Sequence, residues 1–438
     1  MAERHPLLTY HDLLSIWQEW MDEAPEFPPL DQWLRKRARY GDKLPSSTRK
    51  QLHNAMMQAM HFRQLADALE IRLKNPDFND WYNWDMVWHQ NQPAKAIPQH
   101  FWYWIQLRSG QEWQTPYHLS QQKERRRHFI QCRTLVQKQE HPILALLWYG
   151  VRPNWNTLLE KRSETSQWTE PEKSHFIKSQ PHRPPLWLRP AVPANQTQLE
   201  DMAQRLTDEG VKALTENGRL QATGGKDLFH TQLFNSGQLE IQDLASQMIA
   251  ESLEPKPGDK IWDACAGAGG KSLAMAAFMN QKGSITATDI NPRKLEELKK
   301  RSKRAGYRNI RTFEWNGEQP LRLPVEAQRQ GGFDKVLVDA PCSSSGTWRR
   351  NPDARWRITD RRADLHALQA GLLRQAATAV RKGGLLAYAT CSWFVDENED
   401  RIDEFLTQHP GFALMQQTLL GAPKFNSDTM FVAIMKRL

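Results

Sequence analysis

Cysteine is scarce in this chain of 438 residues, and the positions of its cysteines exclude several classes of protein. The four cysteines are Cys132, Cys265, Cys342 and Cys391; they lie far apart and form no CxxC pair or cysteine–histidine ladder. We therefore expect neither a disulfide framework nor a structural zinc site, and we predict no bound metal. A cysteine with a chemical role should act as a free thiol in a reducing compartment.

Long apolar segments are also missing. The longest apolar run, Ile143–Val151, is much shorter than the roughly 20 residues that cross a bilayer. The first ten residues contain the acidic Glu3 and no apolar stretch, which does not resemble a signal peptide. We therefore expect a cytoplasmic protein without a membrane partner. We also expect it to be monomeric.

Positive charge is in excess. Lysine and arginine total 59 against 50 acidic residues, which gives a formal net charge of +9, while apolar residues make up 39% of the chain. This composition is typical of a globular protein with a core, and the excess of cations favours a polyanionic partner. The length predicts two or three domains.

The composition and the spacing of apolar residues change along the chain, and we predict four segments. Residues 1–160 hold most of the tryptophans at helical spacing and predict an all-α domain, with the rings filling its core. Its basic runs, Arg35–Arg39 and Lys123–Arg127, are interpreted either as solvated helix faces or as phosphate contacts. Residues 161–185 are polar with four prolines and predict a linker. A small α+β segment is expected over 186–250.

Residues 251–438 alternate short apolar runs with helical patterns, as in a doubly wound, mostly parallel α/β sheet. Two late apolar runs, 412–420 and 430–435, predict a closing antiparallel hairpin. Because ligands of such sheets bind beyond the carboxyl ends of the strands, residues at those ends are the candidates for a site.

A glycine-rich loop follows the first predicted strand of this region and opens an apolar helix. A phosphate-binding loop requires the pattern G-x-x-x-x-G-K-[ST]; Gly270, Lys271 and Ser272 match it, but Cys265 stands where the first glycine is required. A dinucleotide-binding loop requires G-x-G-x-x-G, and the glycines of this loop do not have that spacing. In a third interpretation the loop binds S-adenosylmethionine, and Asp289 at the end of the next strand accepts hydrogen bonds from both ribose hydroxyls. A plain tight turn is the structural alternative.

Two further strands end in cysteines. One ends at Asp339 and is followed by Cys342, and the other is followed by Cys391, so these side chains should converge on one crevice. Either cysteine alone would be read as a small buried residue. Two cysteines beside a methyl donor suit the methylation of cytosine at carbon 5, because a thiolate that adds to carbon 6 makes carbon 5 nucleophilic. An amino-group methyltransferase is disfavoured, since Cys342 occupies the position of its stacking aromatic residue.

These motifs, in their order and spacing over residues 186–438, resemble the RsmB/Sun family of RNA cytosine-5 methyltransferases. The resemblance implies a Rossmann-like domain, S-adenosylmethionine as donor and cytosine in RNA as target. It assigns Cys391 as the nucleophile and Cys342 as the thiol that helps to release the product. From the chemistry alone, we expect Asp339 to hydrogen-bond the cytosine ring nitrogen and stabilise the adduct. DNA cytosine methyltransferases use the position of Cys342 as nucleophile instead, so the assignment of the two thiols stays open.

The resemblance also implies a set of cofactor-binding residues: Cys265, Ala266, Gly267, Ala268, Gly269, Gly270, Lys271, Asp289, Lys294 and Asp339. Two departures from the family pattern occur. The family loop usually reads Ala-Pro-Gly-Gly, where this chain has Gly267 and Ala268 before the glycine pair. An acidic residue near the adenine amino group is replaced by Asn316, whose carbonyl oxygen could accept the same hydrogen bond, with Glu314 as the alternative.

A basic stretch directly after Cys342 has tryptophans interleaved with arginines. We predict that it contacts RNA through Arg349, Arg350, Arg355 and Arg357. We expect the target to be ribosomal RNA, with transfer RNA as the alternative substrate. A catalytically silent RNA-binding factor of ribosome assembly and a phosphate-loop NTPase are the other hypotheses.

Overall fold

The computed structural model describes residues 8–23, 28–40, 45–90, 97, 100–114, 120–225, 227–356 and 362–438. Arg357, one of the predicted RNA contacts, lies outside these residues. The chain divides into two compact units: unit 1 comprises residues 1–183 and 348–359, and unit 2 comprises 184–347 and 360–438. The chain therefore leaves unit 2 after Thr347 and returns to it at residue 360.

Unit 1 is helical. Its helices are α1 (Tyr10–Met21), α2 (Leu30–Tyr40), α3 (Ser46–Lys74), α4 (Trp81–Gln90), α5 (Phe101–Ser109), α6 (Gln122–Gln137), α7 (Pro142–Trp148), α8 (Asn156–Thr165) and α9 (Glu170–Ser179). The tryptophans fill its core, as predicted: Trp17, Trp102 and Trp104 are at most 1% exposed, and Trp17 meets Trp102 edge to face at 5.7 Å. Such pairs add to the stabilisation from burial alone.

The prediction of a linker over 161–185 is wrong for most of that segment. Helix α9 lies within it and begins with a capping box, in which Thr169 and Glu172 exchange side-chain and backbone hydrogen bonds. Its Phe176 is buried and packs on Trp168 at 4.9 Å. Pro171 stands in the first turn, where a helix tolerates proline because the missing N–H has no partner there.

The basic stretch after Cys342 packs into unit 1. Trp348 stacks on Trp155 with ring centroids 4.4 Å apart, and the Trp356 indole N–H donates to the carbonyl of Met60 at 2.8 Å. Arg355 is fully buried and donates to the carbonyl of Gly150. Arg349 is 4% exposed, and its Nε donates to the carbonyl of His182 at 2.8 Å. The prediction that Arg349 and Arg355 contact RNA is therefore wrong, because core carbonyls already engage their guanidinium groups.

Unit 2 begins with a small α+β segment. Its elements are β1 (Leu186–Pro190), α10 (Gln196–Asp208), β2 (Val211–Glu216), β3 (Arg219–Gly225), α11 (Gln232–Asn235) and β4 (Leu239–Ile241). The strands form an antiparallel sheet in the order β2-β3-β1-β4. Leu188, Leu206 and Leu220 belong to its core.

The larger sheet of unit 2 carries the predicted site. Its elements are α12 (Leu244–Ser252), β5 (Lys260–Asp263), α13 (Gly270–Met279), β6 (Ser284–Asp289), α14 (Pro292–Arg304), β7 (Ile310–Glu314), α15 (Val325–Gln328), β8 (Phe333–Asp339), α16 (Arg362–Thr378), β9 (Val380–Thr390), α17 (Glu399–Gln408), β10 (Phe412–Leu420) and β11 (Met430–Arg437). The strand order is β10-β11-β9-β8-β5-β6-β7, parallel except for the final hairpin. The prediction of a doubly wound α/β sheet is confirmed.

Both faces of this sheet are covered, which explains why its strands are continuous apolar runs rather than alternating ones. Ile261 and Leu337 pack with α12 and α13 on one face, whereas Trp262 and Val336 pack with α16 on the other. Within the described part of the chain, we find no helix with the length and apolar character needed to cross a bilayer.

Candidate active site

The candidate active site lies where four neighbouring parallel strands end. In the sheet, β9, β8, β5 and β6 are consecutive, and their carboxyl ends share one edge. The chain runs from β5 outward through β6 and β7 in one direction, and through β8 and β9 in the other. Because of this reversal, the crevice outside the carboxyl ends of β5 and β8 is the switch point at which doubly wound sheets bind ligands.

The glycine loop connects β5 to α13 at this edge. Gly267 and Gly269 have φ values of 56° and 86°, and Gly269 immediately precedes the helix. A Cβ atom on Gly269 would lie 2.4 Å from Cγ of Leu298, so no larger residue fits there. The loop therefore brings backbone and the amino end of α13 close to the switch point.

Two carboxylates support the loop. Asp289 accepts hydrogen bonds from the backbone N–H of Gly267 at 2.9 Å and of Asn291 at 2.8 Å. Asp263, at the end of β5, accepts one from the hydroxyl of Ser272. Its other oxygen is buried and has no hydrogen-bond partner among the described residues. Burial raises the pKa of Asp263 to about 7, so a cationic group beside it would stabilise its ionised form.

Lys271 and Asp339 form an ion pair between the loop and β8, with Nζ 2.6 Å from Oδ2. Burial by itself lowers the pKa of Lys271, but the adjacent carboxylate more than offsets this effect, and the resulting pKa is raised. The ammonium group therefore stays charged. Asp339 is about 30% exposed, so part of its carboxylate remains available to a ligand.

The two predicted thiols are in contact. Cys342 Sγ lies 3.4 Å from Cys391 Sγ, and both residues are partly buried. The hydrogen bond from Cys342 lowers the pKa of Cys391, and Ser344, whose Oγ is 3.5 Å from Cys391 Sγ, acts in the same direction. The same contact with Cys391, together with burial, raises the pKa of Cys342. The contact therefore favours ionisation of Cys391 over that of Cys342, with the Cys342 thiol as the hydrogen-bond donor.

The remaining predicted cofactor residues lie at the edges of the site. Cys265 is in the loop, and burial raises the pKa of its thiol. Lys294 is exposed on α14. Asn316 follows β7, is exposed, and already uses its carbonyl oxygen to accept from the N–H of Glu318 at 3.1 Å. Its contact with an adenine therefore stays a prediction, as does a role for the half-buried Arg350.

Sequence reasoning gave no role to several residues that hold the thiols in place. Gln369 and Glu397 are buried beside the Cys342 loop, and Asn398 is buried beside Cys391. Glu397 and Asn398 were visible as a polar pair after Cys391, but only the tertiary structure shows what they contact. In the described segments, no cluster of three or more histidine, cysteine or acidic side chains is placed to hold a metal ion.

Comparison with known proteins shows what the region around this site is similar to. Residues 250–434 match the family model described as 16S rRNA methyltransferase RsmB/F. Over this region the chain is similar to the RsmB/F family. The predicted resemblance is thereby confirmed, and the matched region contains the glycine loop, both thiols, strands β5 to β10 and the first part of β11.

The curated relatives carry names consistent with this family. The probable ribosomal RNA small subunit methyltransferase B of Bacillus subtilis is 32% identical over 62% of this chain and 60% of its own length. The protein of the same name from Synechocystis is 35% identical over 59% of this chain and 56% of its own length. The chain thus spans only about three fifths of the relatives it matches.

Solved structures show the same fold. The crystal structure of PH0851 is 23% identical, with a TM-score of 0.65 over 97% of both chains. The structure of NSun6 from Pyrococcus horikoshii with SFG is 18% identical, with a TM-score of 0.53, and covers 64% of this chain and 98% of its own. At these identities the likeness supports the Rossmann-like architecture and nothing finer.

Proposed function

We propose that this protein transfers a methyl group from S-adenosylmethionine to carbon 5 of a cytosine in ribosomal RNA. The observation that carries the proposal is the pair of touching thiols at the ends of β8 and β9, beside the Lys271–Asp339 pair and the glycine loop. The match of residues 250–434 to the RsmB/F family model supports the methyl donor and the RNA target.

The residues present fit the proposed donor. The donor carries an ammonium group, a carboxylate and two ribose hydroxyls, and when bound it supplies an electrophilic methyl group. The buried, unpartnered oxygen of Asp263 suits the ammonium group, and the backbone N–H groups that begin α13 suit the carboxylate. Each oxygen of Asp289 accepts one backbone hydrogen bond and keeps a lone pair for a hydroxyl.

The two thiols fit complementary roles. The Cys391 thiolate adds to carbon 6 of the cytosine and makes carbon 5 nucleophilic, while the ring nitrogen takes up a proton from water. The protonated nitrogen then donates a hydrogen bond to the Asp339 carboxylate. Cys391 then becomes a neutral thioether. Its negative charge no longer raises the pKa of Cys342, which can lose its proton to water and act as the base that removes the carbon 5 proton. Loss of that proton expels the Cys391 sulfur and frees the product.

Methyl transfer itself tests this proposal. We expect the purified protein with methyl-labelled donor to label ribosomal RNA from cells that lack the gene. Bisulfite sequencing should then show a cytosine that is protected only when the gene is present. Label in transfer RNA alone would favour the alternative substrate. RNA binding without label in any RNA would favour the silent assembly factor and contradict the proposal.

Unit 1 offers a second part of the proposal, a surface that positions RNA. The buried side of α6 carries Phe129 and Val136, and its Arg125 is held in an ion pair with Glu70 at 2.9 Å. The exposed side carries four cations, Lys123, Arg126, Arg127 and Arg133. They extend over about 15 Å of helix, which suits several successive phosphates.

Neutralising Arg126, Arg127 and Arg133 together to Gln is expected to weaken RNA binding. Each phosphate contact releases about 0.7 counterions, so the slope of log K for RNA binding against log salt concentration should become shallower by about two when three contacts are lost. A matched control neutralises Arg293, Lys300 and Lys303, three exposed cations of α14. Titrations of fluorescent RNA at several salt concentrations measure both variants. An equal effect of the two triple variants would mean that α6 contributes only net charge.

A further inference from the structure

A short turn connects β9 to α17 and places two polar residues in the interior of unit 2. The turn is the 3₁₀ segment Val395–Glu397, and Asn398 follows it. Glu397 is 1% exposed and Asn398 is fully buried. Burying a carboxylate costs free energy unless its oxygens are hydrogen-bonded, so the partners of Glu397 are informative.

Glu397 holds the loop that carries Cys342. Its carboxylate accepts hydrogen bonds from the backbone N–H of Ser343 at 2.8 Å and from the Ser343 hydroxyl. The buried Gln369 bridges the other side, because its amide donates both to Glu397 at 3.2 Å and to the carbonyl of Pro341 at 3.0 Å. The two residues that flank Cys342 are therefore fixed by one carboxylate and its amide partner.

Asn398 holds the strand end that carries Cys391. Its carbonyl oxygen accepts from the Thr390 hydroxyl at 2.6 Å, and its amide donates to the carbonyl of Ser392 at 2.9 Å. The two residues that flank Cys391 are thus fixed by a single side chain. The hydroxyls of Ser343 and Ser392, 3.2 Å apart, connect the two arrangements.

We propose that Glu397 and Asn398 are positioning residues that set the separation of the two thiols, Glu397 through Cys342 and Asn398 through Cys391. This inference rests on the proposed function. Proton sharing between sulfur atoms requires contact at hydrogen-bond distance, and a displacement of about 1 Å can cost two orders of magnitude in rate. Two consecutive residues, each bonded to the neighbours of one cysteine, fix this distance more tightly than either loop would alone.

The two residues should therefore fail in different ways. Glu397→Gln keeps the shape but replaces an acceptor oxygen by an amide that cannot accept from Ser343. It displaces Cys342, so release should slow, kcat should fall about 10- to 100-fold, and a covalent RNA adduct should accumulate. Asn398→Asp places a carboxylate oxygen against the carbonyl of Ser392. It displaces Cys391, so addition should slow and no adduct should accumulate.

A test that needs no RNA separates this inference from the proposed function. Alkylation of Cys391 by iodoacetamide, followed by mass spectrometry across pH, reports its thiolate fraction. Both variants should raise the pH midpoint of Cys391 alkylation, because the hydrogen bond from Cys342 to Cys391 lengthens. Asp403→Asn, an exposed change on the same helix α17, is the control and should leave the midpoint unchanged. Ser343→Ala removes the hydroxyl contacts with Glu397, Ser392 and the Ser345 N–H but keeps the backbone N–H bond to Glu397. It should shift the midpoint in the same direction by less, and it replaces Glu397→Gln if that variant does not fold.

The outcomes are distinct. Unchanged midpoints in folded variants, or equal adduct yields from Glu397→Gln and Asn398→Asp, would overturn the positioning role. Loss of thermal stability and of donor affinity without a shifted midpoint would indicate a merely structural role and would also overturn it. Shifted midpoints in a protein that transfers no methyl group to any RNA would leave the positioning of the thiols intact and would contradict the proposed function.

Discussion

Replacement of Cys391 by alanine is expected to abolish methyl transfer. Without a sulfur nucleophile, carbon 5 of cytosine stays unactivated, and loss of a catalytic nucleophile costs about 10⁴-fold or more in kcat. Binding of the methyl donor should persist, because the glycine loop, Asp263 and Asp289 are untouched. Incorporation of labelled methyl groups measures methyl transfer, and calorimetry with the donor measures donor binding.

The matched control is Cys132→Ala, which removes a buried thiol from unit 1. Its turnover should stay within a few-fold of the unmodified protein. If Cys391→Ala turned over normally while Cys342→Ala lost all transfer, the roles of the two thiols would be reversed, as in DNA cytosine methyltransferases. The contact of 3.4 Å between the sulfur atoms allows either assignment, but the lowered pKa of Cys391 favours it as the nucleophile.

Replacement of Cys342 by alanine is expected to trap the protein on its RNA. Cys391 can still add to carbon 6, but the base that removes the carbon 5 proton is missing, so the adduct persists. A slower-migrating band on a denaturing gel, sensitive to ribonuclease, measures it. The band should be absent in the double variant Cys342→Ala/Cys391→Ala. Its appearance there would show that another residue forms the bond.

The pH dependence of trapping gives an additional check. Cys342 lowers the pKa of Cys391 by donating a hydrogen bond to the thiolate. Its removal should raise the pKa of Cys391, so the rate of adduct formation should reach its plateau at higher pH than in the Cys342-containing protein. An unchanged profile would show that the thiolate is stabilised by other groups, among which Lys271 and Ser344 are the candidates.

The sheet and the core of the site were predictable because local pattern and chain order determine them. Apolar runs that end in Asp263, Asp289 and Asp339 identify parallel strands, and parallel strands bring their carboxyl ends to one edge. The positions of Cys342 and Cys391 after two such strands therefore sufficed to predict that they meet. The distance between their sulfur atoms depends on Glu397 and Asn398, whose partners are set by tertiary packing.

The predicted RNA contacts and the predicted linker were wrong because the composition of these segments suits two different environments. Arginine and tryptophan side by side are typical of RNA-binding surfaces, but Arg355 and Trp348 instead fill a core in which backbone carbonyls accept from the arginine. Nothing local distinguishes the two, because the carbonyl of Gly150 is remote in sequence. The prolines of 161–185 argue locally against a helix, although Pro171 stands where a helix accepts one.

The return of residues 348–356 to unit 1 has a consequence for biosynthesis. The first 183 residues leave the ribosome without the piece that contains Trp348, Arg355 and Trp356, and the 184–347 stretch must be translated first. At about 5–20 residues per second this delay is on the order of ten seconds. During that time the nascent amino-terminal half exposes an incomplete aromatic interior, so it is the stage at which chaperones would engage the chain.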